Sequence, residues 1–436
     1  MEKYQQIIHL TDNMQEKLIE QRRDFHRYAE GGWREIRTSS RIARELQELG
    51  YQVLVGEAVC RRDARMGVPD ADTLAQEYQR AIAQGADPEF AEQMQQGMTG
   101  VIAILRCGEG PTVAMRFDID ALGVIEAATA EHRPAAEGFA SVNPGFMHAC
   151  GHDGHAAIGL GVANVLARLR DQLHGTVKLI FQPAEEGVRG AKAIVANGHL
   201  DDVQYLLGAH ISDKEADAPA VVIPGSYGSL ATTKYDVVFH GRSAHAGSSP
   251  HLGKNVMPVL ATAILNLYAI PHHGDGETRI NVGVVHAGSG RNVVADEARM
   301  EIEVRGETTE LNHYMQEHAT RIIAHAAQMY DCRYELQLMG EADSLHSDTE
   351  LAARIAAVCC EKLQLQPAEV LLNHNSGSED FSYMMNRVQE MGGQASFMRV
   401  LTVTAGPAHN RYFDFDEQVL PNAVKIFCAT ACNILS

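Results

Sequence analysis

Apolar and polar positions recur with two different periods along this chain, and the changes of period divide it. Over residues 3–50 the apolar positions recur at helical spacing, with long polar faces between them. VIAILRC (101–107) and TVAMRFDID (112–120) are short continuous apolar runs, a pattern that predicts strands buried on both faces. AAIGLGVANVLARLRDQL (156–173) reads as a helix rich in small residues, and TVKLIFQPAEEG (176–187) as a strand running into a loop. Strand, helix and strand in alternation imply an α/β fold with a mostly parallel mixed sheet and helices on its faces. Functional groups then gather at the carboxyl ends of the strands.

Near residue 225 the texture changes. KYDVVFHGRSAHAG (234–247), TRINVGVVHAG (278–288) and ARMEIEVRG (298–306) alternate as half-exposed strands do, with a helix at 255–270 between them. A second helix through about 309–330 and a strand at 333–340 complete an α+β unit of roughly 115 residues. From about Glu341 the α/β pattern returns, so the smaller domain (226–340) interrupts a larger one made of 1–225 and 341–436. The stretch from Gly56 to Gly100 is rich in Ala, Gln and Glu and predicts short helices on the surface.

Composition changes this picture little but excludes several functions. A chain of 436 residues with 45% hydrophobic and 21% charged residues can bury a large core. The formal charge of −19, from 37 basic and 56 acidic residues, argues against nucleic acid and anionic membranes as partners. It leaves room for a small anionic substrate held by a few local cations. No run reaches the roughly 18 apolar residues that span a bilayer. The polar first thirty residues lack the apolar core of a secretory leader. The eight cysteines show no regular framework and read as free thiols, which fits a cytoplasmic location.

The chemistry concentrates in MHACGHDGH (147–155), with three histidines, a cysteine and an aspartate in nine residues. Cys150 and His152 are two apart, a spacing that suits a glycine-containing loop just before a helix better than one helix face. A cysteine there has its thiolate favoured by the helix N-terminus, and thiolate is the form that binds metal. Glu185 and Glu186 follow an apolar run and Pro183, and adjacent side chains diverge. One carboxylate can bind metal while the other moves a proton. His210 and His409 complete, with Cys150, His152 and Glu186, five candidate ligands. Five suffice for two ions about 3.5–4 Å apart that share one ligand and activate a water. In the inserted domain, His245 lies on a Gly/Ser-rich loop, Asn292 in GSGRNVV, and Arg305 in EVRG, where an arginine can grip a carboxylate or simply face solvent.

MHACGHDGH, FQPAEEG, GRSAHAG, SEDFS (378–382) and the run from His409 to Glu417 together resemble the amidohydrolase branch of the M20 metallopeptidases, over nearly the whole chain and in the same order. RMGVPD from Arg65, NVGVVHAGSGRNVV and YFDFDEQVL are similar to the A subunits of those branch members that cleave p-aminobenzoyl-glutamate, a folate breakdown product. The resemblance implies a catalytic di-metal domain and a smaller lid and dimerisation domain. It implies that Cys150 bridges two metals, with His152 and His210 completing one site and Glu186 and His409 the other. Glu185 is then the general base, His245 stabilises the oxyanion, Asn292 and Arg305 hold the substrate carboxylate, and Asp120 orients a metal ligand. Asp118 stands where many relatives carry a metal-binding histidine and is not assigned as a ligand. Manganese and a homologous B subunit, or a homodimer, follow from the resemblance. By softness, thiolate and imidazole ligands favour zinc. DALG at 120–123 departs from the more usual DALP, and the segment 56–100 is longer than in common branch members.

Three other readings compete. One is a broader N-acyl-amino-acid amidohydrolase. Another is a cysteine-nucleophile hydrolase, against which the adjacency of Cys150 and His152 argues, because a base needs its own orienting partner. The third is a metal-bound but inactive partner subunit, against which the intact Glu185 and His245 speak.

Overall fold

The computed structural model describes residues 3–373 and 377–436. The described residues form two compact units, one of 3–227, 346–373 and 380–436, the other of 228–345 and 377–379. The larger unit is built on a seven-stranded sheet in the order Gln52–Val55, Val101–Arg106, Thr176–Gln182, Thr112–Asp118, Tyr205–Asp213, Gln394–Thr402, Val222–Ile223. Its four central strands run parallel, and its outer pairings are antiparallel. Thr112–Asp118 is buried at every position, as a central strand covered on both faces must be.

The helix His152–Leu169 packs between this sheet and the C-terminal helix Val419–Ile434. Its small residues are steric requirements. A Cβ on Gly159 would lie 2.5 Å from the Phe181 ring, and one on Gly161 would lie 2.7 Å from Val424. The helix starts at His152 because Gly151 adopts φ +90°, which lets the preceding strap turn without strain.

Residues 56–100 correct the expectation of a surface layer. The segment does form short helices, chiefly Ala71–Ala83 and Pro88–Ala91, each capped by an aspartate side chain, Asp70 and Asp87. Yet Ala81, Phe90, Ala91 and Met94 belong to the main hydrophobic core, and Val59, Cys60 and Met66 are buried too. The few apolar positions were diluted by Ala, Gln and Glu in the composition, but they fall on one side and dock.

The smaller unit is a four-stranded antiparallel sheet in the order Arg333–Ala342, Ala231–His240, Glu297–Gly306, Thr278–Ala287. Helices Val256–Leu267 and Thr309–Met329 cover one face, around Phe239, Met300 and Ile323. The central strand Glu297–Gly306 alternates between buried and less buried positions, matching its period of two.

A buried ion network ties the start of the long helix to the C-terminal loop. Arg22, fully buried, donates from Nε to Asp153 at 2.7 Å, from Nη2 to Asp414 at 2.8 Å and from Nη1 to Glu417 at 3.1 Å. His26 adds a 2.8 Å contact to the same Asp153 oxygen. Burial pushes the Asp153 carboxyl up, but the Arg22 charge and the His26 hydrogen bond overcome it and hold it well below the usual range. Asp414 and Glu417 are depressed as well, against burial, mainly by arginines. Depressed carboxyls give stability that is present above their unfolded pKa values and lost as pH falls through the folded ones. Arg22→Met removes the cation that the three carboxylates share and leaves buried Asp153 with no arginine, only His26, and should cost about 3–5 kcal/mol in urea unfolding at neutral pH. It should also flatten the loss of stability on acidification below about pH 4.5; an unchanged acid slope would contradict the network's role.

Candidate metal centre and the turn beside it

Two donor sets meet at Cys150. Ligand atoms of Cys150, His152 and His210 lie within 4.8 Å of one another, and so do those of Cys150, Glu186 and His409. The Cys150 thiol is 3.3 Å from His210 Nε2. His409 approaches from the C-terminal loop with φ +65°, held there by its backbone amide, which donates to Ala149 O at 2.7 Å. All five candidate ligands of the sequence are thus brought to one place, and Glu185 joins His152 and Glu186 in a third such group.

The imidazoles are oriented for this task. His152 Nδ1 donates to Asp120 O at 2.9 Å, and His210 Nδ1 donates to Ile211 O at 2.6 Å. Each ring therefore presents Nε2 to the cluster. His152 Nε2 and Glu186 Oε1 are buried and have no hydrogen-bond partner among the described residues. Such atoms are costly unless something binds them, and a divalent cation fits thiolate, imidazole and carboxylate donors together.

Electrostatics points the same way. Burial pushes the Cys150 thiol up to about 12, and Glu186 and Glu185 push further in that direction. Burial and the charges of Asp120 and Asp118 push Glu186 up to about 7, against the pull of His152. The cluster is short of positive charge, and cations would supply it.

Glu185 and Glu186 sit on a turn whose amides end on buried carboxyl groups. Asp120 Oδ1 accepts from Glu185 N at 2.9 Å and Oδ2 from Glu186 N at 3.0 Å. Glu35 accepts from Ala184 N at 2.8 Å. Asp380 Oδ2 accepts from Gly190 N at 3.0 Å and Ala191 N at 2.9 Å. Ala184 and Val188 both have positive φ, +51° and +59°, which is costly for residues with a Cβ and above all for valine. Gly190 admits no side chain, since a Cβ there would lie 1.7 Å from Pro183 O. Asp120 thus acts on two groups, aiming His152 with its backbone carbonyl and the glutamates with its side chain.

Asp118 and His155 also lie with His152 in a possible ligand group, but their atoms are spent. His155 Nδ1 donates to Asp118 Oδ1 at 2.5 Å, and His155 Nε2 accepts from Ile211 N at 2.9 Å. Asp118 Oδ2 receives Arg116 Nη1 at 2.6 Å. The triad pins the strand that carries His210.

In the smaller unit, His245 and Asn292 lie on neighbouring segments, joined by the bond from Ala246 N to Asn292 O at 3.0 Å. His245 Nδ1 accepts from Gly247 N at 3.1 Å and Ser248 N at 3.0 Å, so its proton sits on the exposed Nε2. Arg305 is half-buried and meets Glu303 through Nε and Nη2, each at 3.0 Å. A substrate carboxylate would have to displace Glu303 from that fork.

Sequence reasoning gave no role to Glu35, Arg22 or Asp380. Asp380 stood in the SEDFS motif, which marked it without saying what it does. Glu35 and Arg22 look like ordinary polar positions of N-terminal helices.

Cys, His and Glu donors that converge beside a mixed sheet, with a further glutamate next to them, are what a metal-dependent hydrolase requires. The model of Peptidase family M20/M25/M40 matches residues 114–433, and the chain belongs to that family. It is a metallo-amidohydrolase acting on amide bonds. It is 46% identical to an indole-3-acetyl-aspartic acid hydrolase of Enterobacter agglomerans, over 96% of this chain and 95% of that one. It is 45% identical to one of the subunits of the p-aminobenzoyl-glutamate hydrolase of Escherichia coli, over 97% of each chain. Among solved structures, an aminobenzoyl-glutamate utilization protein from Klebsiella pneumoniae is similar at a TM-score of 0.83 and 38% identity, with 97% of each chain covered. A dinuclear metal binding M20 peptidase from Bacillus subtilis matches at 0.63 and 26%, with 97% of this chain and 99% of that one covered.

Asp120→Asn would place an amide N–H2 against one of the two backbone amides it now receives. The expected result is a roughly 10–100-fold weaker grip on divalent metal, the usual order for losing an outer-shell partner. Titration against a metal indicator measures it, and wild-type affinity would refute the positioning role.

Proposed function

We propose that this enzyme hydrolyses the amide between an aromatic acyl group and an acidic amino acid, with p-aminobenzoyl-glutamate as substrate and p-aminobenzoate and glutamate as products. The observation that carries this reading is the pair of donor sets sharing Cys150 beside Glu185. The relatives that act on p-aminobenzoyl-glutamate and indole-3-acetyl-aspartate support the substrate class. Both those substrates pair an aromatic acyl group with a dicarboxylic amino acid. The second of them favours an arylacetyl-aspartate as the alternative substrate.

Cys150 would be shared between two divalent ions, with His152 and His210 holding one and Glu186 and His409 the other. Bound there, such ions polarise the scissile carbonyl and lower the pKa of a water. Glu185 takes the proton of the attacking water, the new C–O bond forms, and Glu185 returns the proton to the amide nitrogen as the C–N bond breaks. His245 offers its Nε2 proton to the oxyanion, and Asn292 and Arg305 recognise the free carboxylate. Manganese is the metal of this reading and zinc its rival. A homologous B subunit is the partner, with a homodimer as the alternative, in a cytoplasmic route that reuses folate breakdown products. No helix among the described residues is long and apolar enough to cross a membrane.

The test compares amine release from p-aminobenzoyl-glutamate, indole-3-acetyl-aspartate and hippurate, with manganese, after chelation, and with and without a B subunit. Preference for the acidic conjugates, loss on chelation and recovery with manganese are expected. Equal turnover of hippurate would return the reading to a broad acyl-amino-acid hydrolase, and activity surviving exhaustive chelation would revive a Cys150 nucleophile. Glu185→Gln should retain metal and lose about 10²–10⁴-fold in kcat.

A further inference from the structure

The segment 56–100 has no part in the chemistry above, yet three consecutive residues of its RMGVPD stretch are fastened in a line that ends on the turn carrying the base. Arg65 Nη1 donates to Gln96 O at 2.6 Å, and the guanidinium lies over the Trp33 ring at 5.6 Å. Trp33 Nε1 donates to Met66 O at 2.7 Å. Gly67 O accepts from Arg189 Nη1 at 3.1 Å, and Arg189 Nε donates to Glu186 O at 2.9 Å. The Arg189 guanidinium lies against bare backbone at Gly32, where a Cβ would sit 2.3 Å from Nη2. Among the described residues its hydrogen bonds go to carbonyls, not to a carboxylate. A second tie leaves the far end of the segment. Thr99 Oγ1 donates to Glu35 Oε2 at 2.6 Å, and the other oxygen of Glu35 receives Ala184 N.

Both ties land on a turn that needs holding. Ala184 and Val188 bracket the two glutamates in left-handed backbone conformations that relax unless the surroundings impose them. Asp120 and Asp380 secure the amides of the turn, but the carbonyl of Glu186 is held by Arg189, and Arg189 is braced by Gly67.

We propose that the segment 56–100 is a clamp for the catalytic turn, with Arg189 as the positioning residue that transmits it to Glu185 and Glu186. The consequence for turnover rests on the amidohydrolase reading above; the clamp itself does not. Misplacing a base by a fraction of an ångström lowers the rate of the chemical step while leaving substrate contacts intact, so the loss falls on kcat.

The test uses the full chain. In Arg189→Met, amide hydrogen exchange over residues 184–191, followed by mass spectrometry on metal-free protein, should speed up about tenfold or more. kcat with manganese should fall about tenfold or more, with KM within about twofold. Arg189→Lys, able to reach one carbonyl, should recover part of both. Trp33→Phe keeps an aromatic ring but removes the bond to Met66 and part of a fully buried indole, so it loosens the segment at a side chain with no hydrogen bond to the turn among the described residues; it should change both readouts in the same direction by less. Wild-type exchange and wild-type kcat in both Arg189→Met and Trp33→Phe would overturn the clamp. If the wild-type enzyme cleaves none of the amides offered, the substrate reading fails, and the exchange measurement still decides the clamp.

Discussion

The structure depends on one arrangement, in which the backbone amides of Ala184, Glu185, Glu186, Gly190 and Ala191 end on three buried carboxyl groups, Glu35, Asp120 and Asp380. Burying acid groups is costly, and hydrogen bonds from backbone N–H groups are what make it tolerable. In return the turn is fixed in a conformation its own residues disfavour, with both glutamates brought to His152. The sheet supplies the geometry. Asp118 pairs in register with Gln182, so Asp120 and the turn leave neighbouring parallel strands at the same level.

The same arrangement explains why a cation belongs here. Asp118, Asp120, Glu185 and Glu186 crowd one end of the sheet, and Glu35 lies close enough that burial, together with the charge of Asp120, pushes it up to about 8. Of the fixed positive charge nearby, Arg116 is taken by Asp118 and Asp380, and Arg22 by Asp153, Asp414 and Glu417. A polypeptide alone leaves this site with more acid than it can ionise. On the reading proposed above, divalent ions would complete it, and binding them would become part of what holds the ligand loops together. Arg22 acts on the outer side of the same problem, since it neutralises Asp153, the residue after His152, and links it to the loop that follows His409.

Much of the site was legible because its residues are of types that rarely cluster by chance. Cys150, His152, Glu186, His210 and His409 stand out as potential ligands, and apolar runs place several of them at strand ends. The alternation in 226–340 was equally readable. Of what holds the ligands, only Asp120 was. Glu35 and Arg22 carry no pattern that separates a buried charge from a solvated helix face; only the fold shows that each is fully buried. The segment 56–100 misled for the opposite reason, because its few apolar residues were too sparse to signal burial until Phe90 and Met94 docked into the core.

The claim on which the rest turns is that two divalent ions share Cys150. Anomalous diffraction from crystals grown with manganese tests it directly. The account predicts two peaks about 3.5–4 Å apart, both within bonding distance of the Cys150 sulfur, one beside His152 and His210 and the other beside Glu186 and His409. A single peak coordinated by Asp118 and His155, with Cys150 unligated, would contradict it.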